Sequence, residues 1–317
     1  MAQAQQYSVY GGQAVIEGVM IRGRHVYSVA ARHPTGVIKT ITRPIPTWSV
    51  NRFRRIPFIR GTLVLSESLI VGMRALTWSA QVSSGETEDD EQPIPPLAMA
   101  LTLATSLVLG IGLFFVLPLL ITHGYVDRFT DNSILSNTAE GILRLAVFFA
   151  YLTLIGLMPS IKRVFGYHAA EHMAVHTQEA RLPLKNENVR LFPAAHPRCG
   201  TAFLLTVMIV SIIVFAFLGT PDLPIRIASR IVLIPLIAGI SYEVIRMNAA
   251  HAGNALVRAG MLPSLALQSM TTRPPDDGQI EVAIAAMNAA VEGDAEAEAA
   301  GTGAGSPPDI VHRGCGC

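Results

Sequence analysis

The sequence predicts a membrane α-helical protein with about four transmembrane helices and a small cytoplasmic β unit at its N-terminus. Two observations lead to this class. Half of the 317 residues are hydrophobic and only 15% are charged, with a mean hydropathy of +0.42, which is more apolar and less charged than a soluble globular domain usually is. In addition, four long apolar runs follow residue 96. At a rise of ~1.5 Å per residue, each can cross, or nearly cross, a hydrocarbon core ~30 Å thick.

Residues 1–60 are predicted to form the β unit. The segments QAVIEGVMIRG, HVYSVAAR and VIKTITRP are β-prone, and the last two flank a Pro-Gly turn at 33–36. Such runs around a turn predict a hairpin. Glu17 lies inside the first apolar segment. An ionised carboxylate there needs a partner, unless strand alternation places it on the exposed face.

Residues 61–82 are predicted to form a helix that lies at the membrane surface or packs in the bundle, and does not span the bilayer. Its apolar run carries Glu67 and Arg74 seven residues apart, on nearly the same helix face. The alternating β unit needs a surface to cover and is expected to pack on this helix. Residues 83–96 are acidic and end in prolines, which predicts a linker and a domain boundary.

Residues 97–290 are predicted to form the transmembrane domain. The connection 122–138 holds Arg128 as its one Lys or Arg, whereas 159–201 holds a cluster of basic residues. The positive-inside rule therefore places the His-rich loop 159–201, the β unit and the C-terminus in the cytoplasm, with an even number of spans. The predicted spans are 97–121, 139–158, 202–220 and 226–242, of which the last is the weakest candidate.

No cleavable signal peptide is expected at the N-terminus. The first residues have neither a basic nor an apolar targeting region, so we expect the internal apolar runs to direct insertion. Near the C-terminus, Asp276 or Asp277 can cap a last helix that has Glu281 in its first turn. Residues 291–317 are of low complexity and are expected to be disordered. Cys315 and Cys317 lie in this tail, where a pair of cysteines is usually incidental, and no disulfide framework is implied.

The most informative motif is His168-Ala169-Ala170-Glu171-His172. On a helix, His168 and His172 fall on one face with Glu171 beside them. This is the H-x-x-E-H order, in which two imidazoles bind zinc and the glutamate acts as general base. A polar loop helix whose imidazoles face solvent or pair with Glu171 explains the spacing equally well.

A second motif, His196-Pro197-Arg198-Cys199-Gly200, precedes the third span. His196 and Cys199 can turn toward one cation, and with the two motif histidines they make four N and S ligands. Four ligands predict a closed structural site, whereas loss of Cys199 or another ligand to water leaves an open catalytic one. Cys199 as a small buried residue at a helix start is the alternative. His176 is a weaker alternate ligand, and Glu243 ranks below His196 as a reserve ligand, unless it simply pairs with Arg246.

Other function classes lack their motifs. No Walker or dinucleotide-binding glycine loop and no G-x-S-x-G elbow is present. The formal net charge is +1, which gives no support for nucleic-acid binding. A transporter is disfavoured, because the apolar runs carry few ionisable residues beyond Arg144, Arg230 and Glu243.

Beyond these motifs, the chain resembles the YqhQ-type family of bacterial membrane proteins, a family of unknown function that is commonly labelled a predicted metal-dependent enzyme. The resemblance covers about residues 10–290. Its ligand motifs are matched at His168, Glu171, His172, His196 and Cys199, and the departures at Ala169 and Met173 do not touch a ligand. The matching segments are GGQAVIEGVMIRG, ESLIVGMRALTWSA, YHAAEHMAVH, ENVRLFPAAHPRCGTAFL, AGISYEVIR and TTRPPDDGQIEVAIAA.

The resemblance implies a multi-pass protein of the bacterial cytoplasmic membrane, with membrane lipids as its surroundings and no defined substrate. Our leading hypothesis is a metal-dependent enzyme of the zinc hydrolase type. In it, His168, His172 and His196, with Cys199 as a further ligand, hold a divalent transition metal, and Glu171 is the general base. The alternative is a non-catalytic protein in which the same ligands form a structural zinc site, acting as a scaffold or assembly factor.

Overall fold

The structure is a computed structural model that describes residues 10–45, 56–85, 96–197, 199–251 and 254–300. An N-terminal antiparallel sheet is followed by helices. The strands are β1 (Gly11–Val15), β2 (Gly18–Arg22), β3 (Val26–Arg32) and β4 (Ile38–Pro44). The first helices are α1 (Ile59–Ser84), α2 (Pro96–Ile111), a π-helical turn (Gly112–Val116), α3 (Leu117–Tyr125), α4 (Ser133–Ile155) and α5 (Pro159–Glu179). The others are α6 (Asn186–Val189), α7 (Gly200–Leu218), α8 (Leu223–Val232), α9 (Ile234–Ala250), α10 (Ala255–Thr271) and α11 (Asp277–Ala299).

The sheet has four strands in the order β1-β2-β3-β4, each antiparallel to the next. The predicted hairpin is the β3–β4 pair, which turns at Gly36 with a φ of +89°. The first apolar segment, predicted as one β run, instead folds back on itself at Glu17, whose φ is +48°. The carboxylate of Glu17 accepts hydrogen bonds from Arg163 and from the Tyr167 hydroxyl. Because Arg163 donates to it, the pKa of Glu17 lies below its ordinary value.

Both faces of the sheet are covered, which explains why β2 is apolar without alternation. Val19 and Ile21 pack against α5 and α11, whereas Met20 packs against Val71 and Ala75 of α1. The predicted β unit and the predicted domain 97–290 therefore share a core, while most of the predicted linker 83–96 lies outside the described residues. Two helices from the domain complete the core of the sheet, because neither the strands nor the helices can bury their apolar faces alone.

The segment 159–201, predicted as a loop, is mainly helical in α5 and α6. In α11, the side chain of Asp276 caps the first turn together with Gln279. The prediction of disorder from 291 is wrong for 291–299, which continue α11. Asp294 is buried and accepts hydrogen bonds from the backbone amides of Arg24 and His25, 2.8 Å each. A carboxylate bonded in this way ties the end of α11 to the β2–β3 turn. Residues 301–317 lie outside the described residues.

Three helical segments are long and apolar enough to cross a membrane, or four if one bent pair counts as a single span. The fourth, the weakest candidate from sequence, is the bent pair, with an angle of 46° between α8 and α9. Pro235 lies at the start of α9, and a proline there lacks the amide that would continue the preceding helix. These helices indicate a lipid environment. The segments are Ala100–Tyr125, Ser133–Ile155, Gly200–Leu218, and Leu223–Val232 with Ile234–Asn248.

A buried ionic network lies among these helices. Glu140 of α4 accepts hydrogen bonds from Arg144 (2.5 Å), from Arg230 (2.7 and 3.0 Å) and from Arg226 (3.2 Å). All four side chains are at most 2% exposed. The prediction that the spans hold few ionisable groups is therefore wrong, because it overlooked Glu140 and Arg226.

The guanidinium of Arg144 connects three helical segments. It donates to the carbonyl of Phe114 in the π-helical turn (3.0 Å) and to the Ser211 hydroxyl of α7 (3.1 Å). The rings of Phe115 and Phe215 flank it, with centroids 5.2 and 5.1 Å from Cζ. A charge inside the bilayer is costly unless it is paired in this way. We therefore regard the network as the structural link between the spans.

Candidate metal centre

A row of imidazoles runs along one face of α5 and faces the loop before α7. The row consists of His168, His172 and His176, which the helix places on one face at intervals of four residues. The ring centroids of His168 and His172 are 4.4 Å apart. The ring centroid of His196, which comes from the loop, lies 5.7 Å from that of His172 and 4.4 Å from that of His176. The helix spacing therefore supplies one wall of a site and the loop supplies the other.

The first group of candidate ligands is His168, His172 and Cys199. One donor atom from each lies within 4.8 Å of the others, and Nε2 of His168 is 3.2 Å from Sγ of Cys199. Cys199 is buried and caps the first turn of α7 by accepting from the Thr201 amide. In a tetrahedral zinc site, N and S ligands at about 2.0 and 2.3 Å lie about 3.5 Å apart. The observed separation is close to that value.

The two motif histidines are held with the same ring nitrogen presented to this group. Nδ1 of His168 lies 2.8 Å from the carbonyl of Thr271, and Nδ1 of His172 lies 2.5 Å from the carbonyl of Ala194. A carbonyl can only accept, so each Nδ1 carries the proton and each Nε2 presents a lone pair. A backbone acceptor behind a ligating imidazole is the arrangement that fixes the ring in many metal sites.

The second group is His176, Glu179 and His196, whose donor atoms also lie within 4.8 Å of one another. The predicted set of His168, His172 and His196 is therefore divided, because the loop brings His196 beside His176 rather than beside His168. Sequence spacing could not reveal this, since the path of the loop 180–199 depends on contacts with other helices.

Glu171, the predicted general base, is 3% exposed and lies between the first group and the sheet. Its Oε2 is 3.6 Å from Nε2 of His172. On its other side, a Cβ added to Gly12 of β1 would lie 3.0 Å from Cγ and Oε1 of Glu171. A glycine at position 12 therefore leaves room for this carboxylate. Burial lowers the pKa of His196, and the charge of Glu171 opposes that shift.

Gln268 of α10 contributes a contact that our sequence reasoning missed. This fully buried side chain accepts from the amide of His196 (2.8 Å) and donates to its carbonyl (2.9 Å). The paired bonds fix the loop that carries His196 beside α5. A single glutamine in an apolar helix belongs to no recognisable sequence motif, so Gln268 could not have been predicted. Glu179 could have been predicted, because it lies three residues after His176 on the same helix face.

The reserve and peripheral candidates lie elsewhere. Glu243 accepts a hydrogen bond from Arg60 at 2.6 Å. It belongs to neither of the two donor groups found among the described residues. Cys315 and Cys317 lie outside the described residues.

An open groove of about 430 Å³ lies beside the loop before α7. Met173, which follows His172 in α5, and Ala194, whose carbonyl holds His172, both line it. Arg273 and Arg190, whose guanidinium bonds Asp277, also line the groove. The groove is thus lined by sequence neighbours of the metal-ligand candidates and not by His168, His172 or Cys199.

Comparisons with known proteins agree with the resemblance drawn from the motifs. The chain is 35% identical over 290 residues to the uncharacterized protein YqhQ of Bacillus subtilis (strain 168), and the match covers 88% of this chain and 91% of that protein. No solved structure matches at a significant level. Residues 56–293 match the model of a family described as a protein of unknown function (DUF1385). The chain therefore belongs to this YqhQ-type family, DUF1385.

Proposed function

We propose that this protein is a membrane-embedded, metal-dependent hydrolase. His168, His172 and Cys199 would hold a divalent transition metal, and Glu171 would act as general base. One observation carries the proposal. Three donor atoms lie within 4.8 Å of one another, Nδ1 of each imidazole is held by a backbone carbonyl, and Nε2 of His168 lies 3.2 Å from Sγ of Cys199.

The donor set suits zinc. Imidazole and thiolate ligands favour zinc over magnesium or calcium, which prefer oxygen. Three protein ligands leave one tetrahedral position for a water, as in catalytic zinc sites. Zinc bound there would supply Lewis acidity and a water that loses its proton near neutral pH. His196 is not needed as a ligand of this group.

Glu171 is placed to move that proton. Its carboxylate oxygen lies 3.6 Å from the ligating atom of His172, so a water bound between the three ligands would be within reach. The carboxylate would accept the proton of the attacking water and return it to the leaving group. Arg190 and Arg273 line the groove beside the loop before α7 and favour a substrate that carries a negative charge.

We further propose that the protein lies in the bacterial cytoplasmic membrane with both termini and this site in the cytoplasm. The basic segment 159–201 contrasts with 122–138, and the positive-inside rule supports that orientation. The test is labelling of one added cysteine with a membrane-impermeant maleimide in a Cys315→Ser, Cys317→Ser background, in which the remaining Cys199 is buried and its labelling in the parent protein sets the baseline. A cysteine replacing the exposed Phe129 should react in intact cells, and one replacing the exposed Leu191 should react only after permeabilisation. The reverse pattern would invert the topology.

The alternative is a structural zinc site in a scaffold or assembly factor. It is supported by the position of the group, which joins α5 of the sheet unit to α7 and α10 of the helical bundle. A metal in that role would hold the sheet unit and the helical bundle together and would need no coordination position open to water. The two functions differ in what Glu171 does.

The Glu171→Gln variant separates the two functions. For a hydrolase, we expect this variant to keep its zinc while cleavage falls about 10²- to 10⁴-fold, because only the proton acceptor is lost. The measurement combines zinc content of the detergent-purified full chain with cleavage of two chromogenic probes, 4-nitrophenyl acetate and bis(4-nitrophenyl) phosphate. Glu187→Gln, a change at an exposed carboxylate, is the control.

Three results would count against the hydrolase. Purified protein without stoichiometric metal would remove its basis. Full zinc content without cleavage of either probe above that of the chelator-stripped protein would favour the structural site. Equal cleavage by Glu171→Gln and wild type would remove Glu171 from the mechanism.

A further inference from the structure

A second divalent cation has a site one helical turn beyond the first group. We infer that His176, Glu179 and His196 bind this second ion. Their donor atoms lie within 4.8 Å of one another, and Oε2 of Glu179 is 3.5 Å from Nε2 of His196. This inference does not depend on the first group being occupied or catalytic, because the two groups share no residue.

The imidazole of His176 is fixed by two neighbours. Its Nε2 lies 3.0 Å from the carbonyl of Ala195, and the ring stacks on Phe192 with centroids 5.9 Å apart and planes 13° apart. Since the carbonyl only accepts, Nε2 carries the proton and Nδ1 presents the lone pair. The ring orientation behind this donor is therefore set before any ion arrives.

His196 is fixed independently. Gln268 bonds both its amide and its carbonyl, and the side chain is 7% exposed. The loop therefore cannot carry His196 away from α5 without breaking two buried hydrogen bonds. The His168, His172 and His176 imidazoles and the backbone of His196 are thus held by contacts from outside the groups, which distinguishes them from a chance cluster of polar side chains.

The chemistry of the second group differs from that of the first. Two neutral imidazoles and one carboxylate give a net charge of −1 and contain no sulfur, so they suit zinc and also harder ions such as manganese or cobalt. The Glu179 side chain is 36% exposed, whereas His172 and Cys199 of the first group are buried and His168 is partly buried. We therefore expect the second ion to bind more weakly and to exchange faster.

Cobalt distinguishes the two groups, because sulfur ligation adds a thiolate-to-metal charge-transfer absorption that nitrogen and oxygen ligands lack. The test is a Co²⁺ titration of the detergent-purified full chain after removal of metal by a chelator. Wild type should bind two ions, and only one of them should produce the thiolate band. The double variant His176→Ala, Glu179→Gln should bind one ion and keep that band.

The reciprocal variant is Cys199→Ser, which should lose the thiolate band while the second ion still binds. The control is His33→Ala, Glu292→Gln, which changes a half-buried histidine and an exposed glutamate outside both donor groups and should leave two ions. Thermal unfolding of each variant without metal shows whether the fold survives. The single variant Glu179→Gln, which changes only an exposed side chain, should still lower the affinity for the second ion at least about ten-fold.

The outcomes separate this inference from the proposed function. If the wild type binds one ion that gives the thiolate band, and the variant His176→Ala, Glu179→Gln still binds that ion, the second site is overturned and the first stays in place. One ion without the band, lost in that variant, would overturn the first site and support the second. Two ions in both wild type and that variant would overturn the second site, and no bound ion would overturn both.

Discussion

Replacing Glu140 by glutamine is expected to lower the free energy of unfolding by about 3–5 kcal/mol, the range found when a buried ion pair loses one partner. Glu140 is the carboxylate on which Arg144, Arg226 and Arg230 converge. Without its charge, the buried guanidinium groups of Arg144 and Arg230 lose their carboxylate partner, and Arg226 keeps only Asp127. The measurement is the denaturant or thermal midpoint of the full chain in detergent, followed with metal present and absent.

Two controls make this result specific. Ile142→Ala changes an exposed side chain two residues away on α4 and is expected to cost less than about 0.5 kcal/mol. The double variant Glu140→Gln, Arg230→Gln also removes one of the guanidinium charges that lost its partner. It should recover part of the free energy of unfolding that Glu140→Gln loses. A Glu140→Gln protein as stable as the Ile142→Ala protein would show that the network does not hold the spans together.

Replacing His172 by alanine is expected to weaken zinc binding to the first group by at least about 100-fold. Loss of a contact behind a ligand alone costs 10- to 100-fold, and here the donor atom itself is removed from a group of three. The remaining pair, His168 and Cys199, cannot surround an ion. The measurement is zinc retained by the purified full chain against a competing chelator of known affinity.

His33→Ala is the matched control, because His33 is a half-buried histidine on the β3–β4 turn that belongs to neither donor group and should not change zinc retention. Zinc bound to the second group would add to the total zinc content and mask a loss from the first group. The comparison is therefore made in the His176→Ala, Glu179→Gln background, where one ion per chain remains. Equal retention by the His172→Ala and His33→Ala proteins would exclude the first group as the zinc site.

The geometry also shows how the sheet unit and the bundle meet at the candidate site. α5 packs on the sheet through Tyr167, Ala170 and Ala174, while its histidine face looks toward the loop before α7. Gly12 gives Glu171 its space from the sheet side, and Thr271 orients His168 from the bundle side. The site is therefore formed only when both units are folded and docked.

The sequence by itself determined the features that depend on neighbours along the chain. Four-residue spacing brings His168, His172 and His176 to one helix face, because an α-helix fixes that geometry locally. Long apolar runs with few charges identify the candidate spans. The Pro-Gly turn between β3 and β4 is equally local, since its backbone requirement is carried by Gly36.

Only the tertiary structure decided which distant residues share a site. It placed Cys199 with His168, moved His196 to His176 and Glu179, and joined Glu140 to arginines on its own helix and on α8. It also extended α11 beyond 291, where Asp294 finds backbone amides on the β2–β3 turn. Each of these pairings joins groups that are far apart in sequence, or joins one of several side chains that sequence spacing makes equally possible partners. Such choices depend on how layers dock and on the cost of leaving a buried polar group unpaired, and no local pattern of residues encodes either.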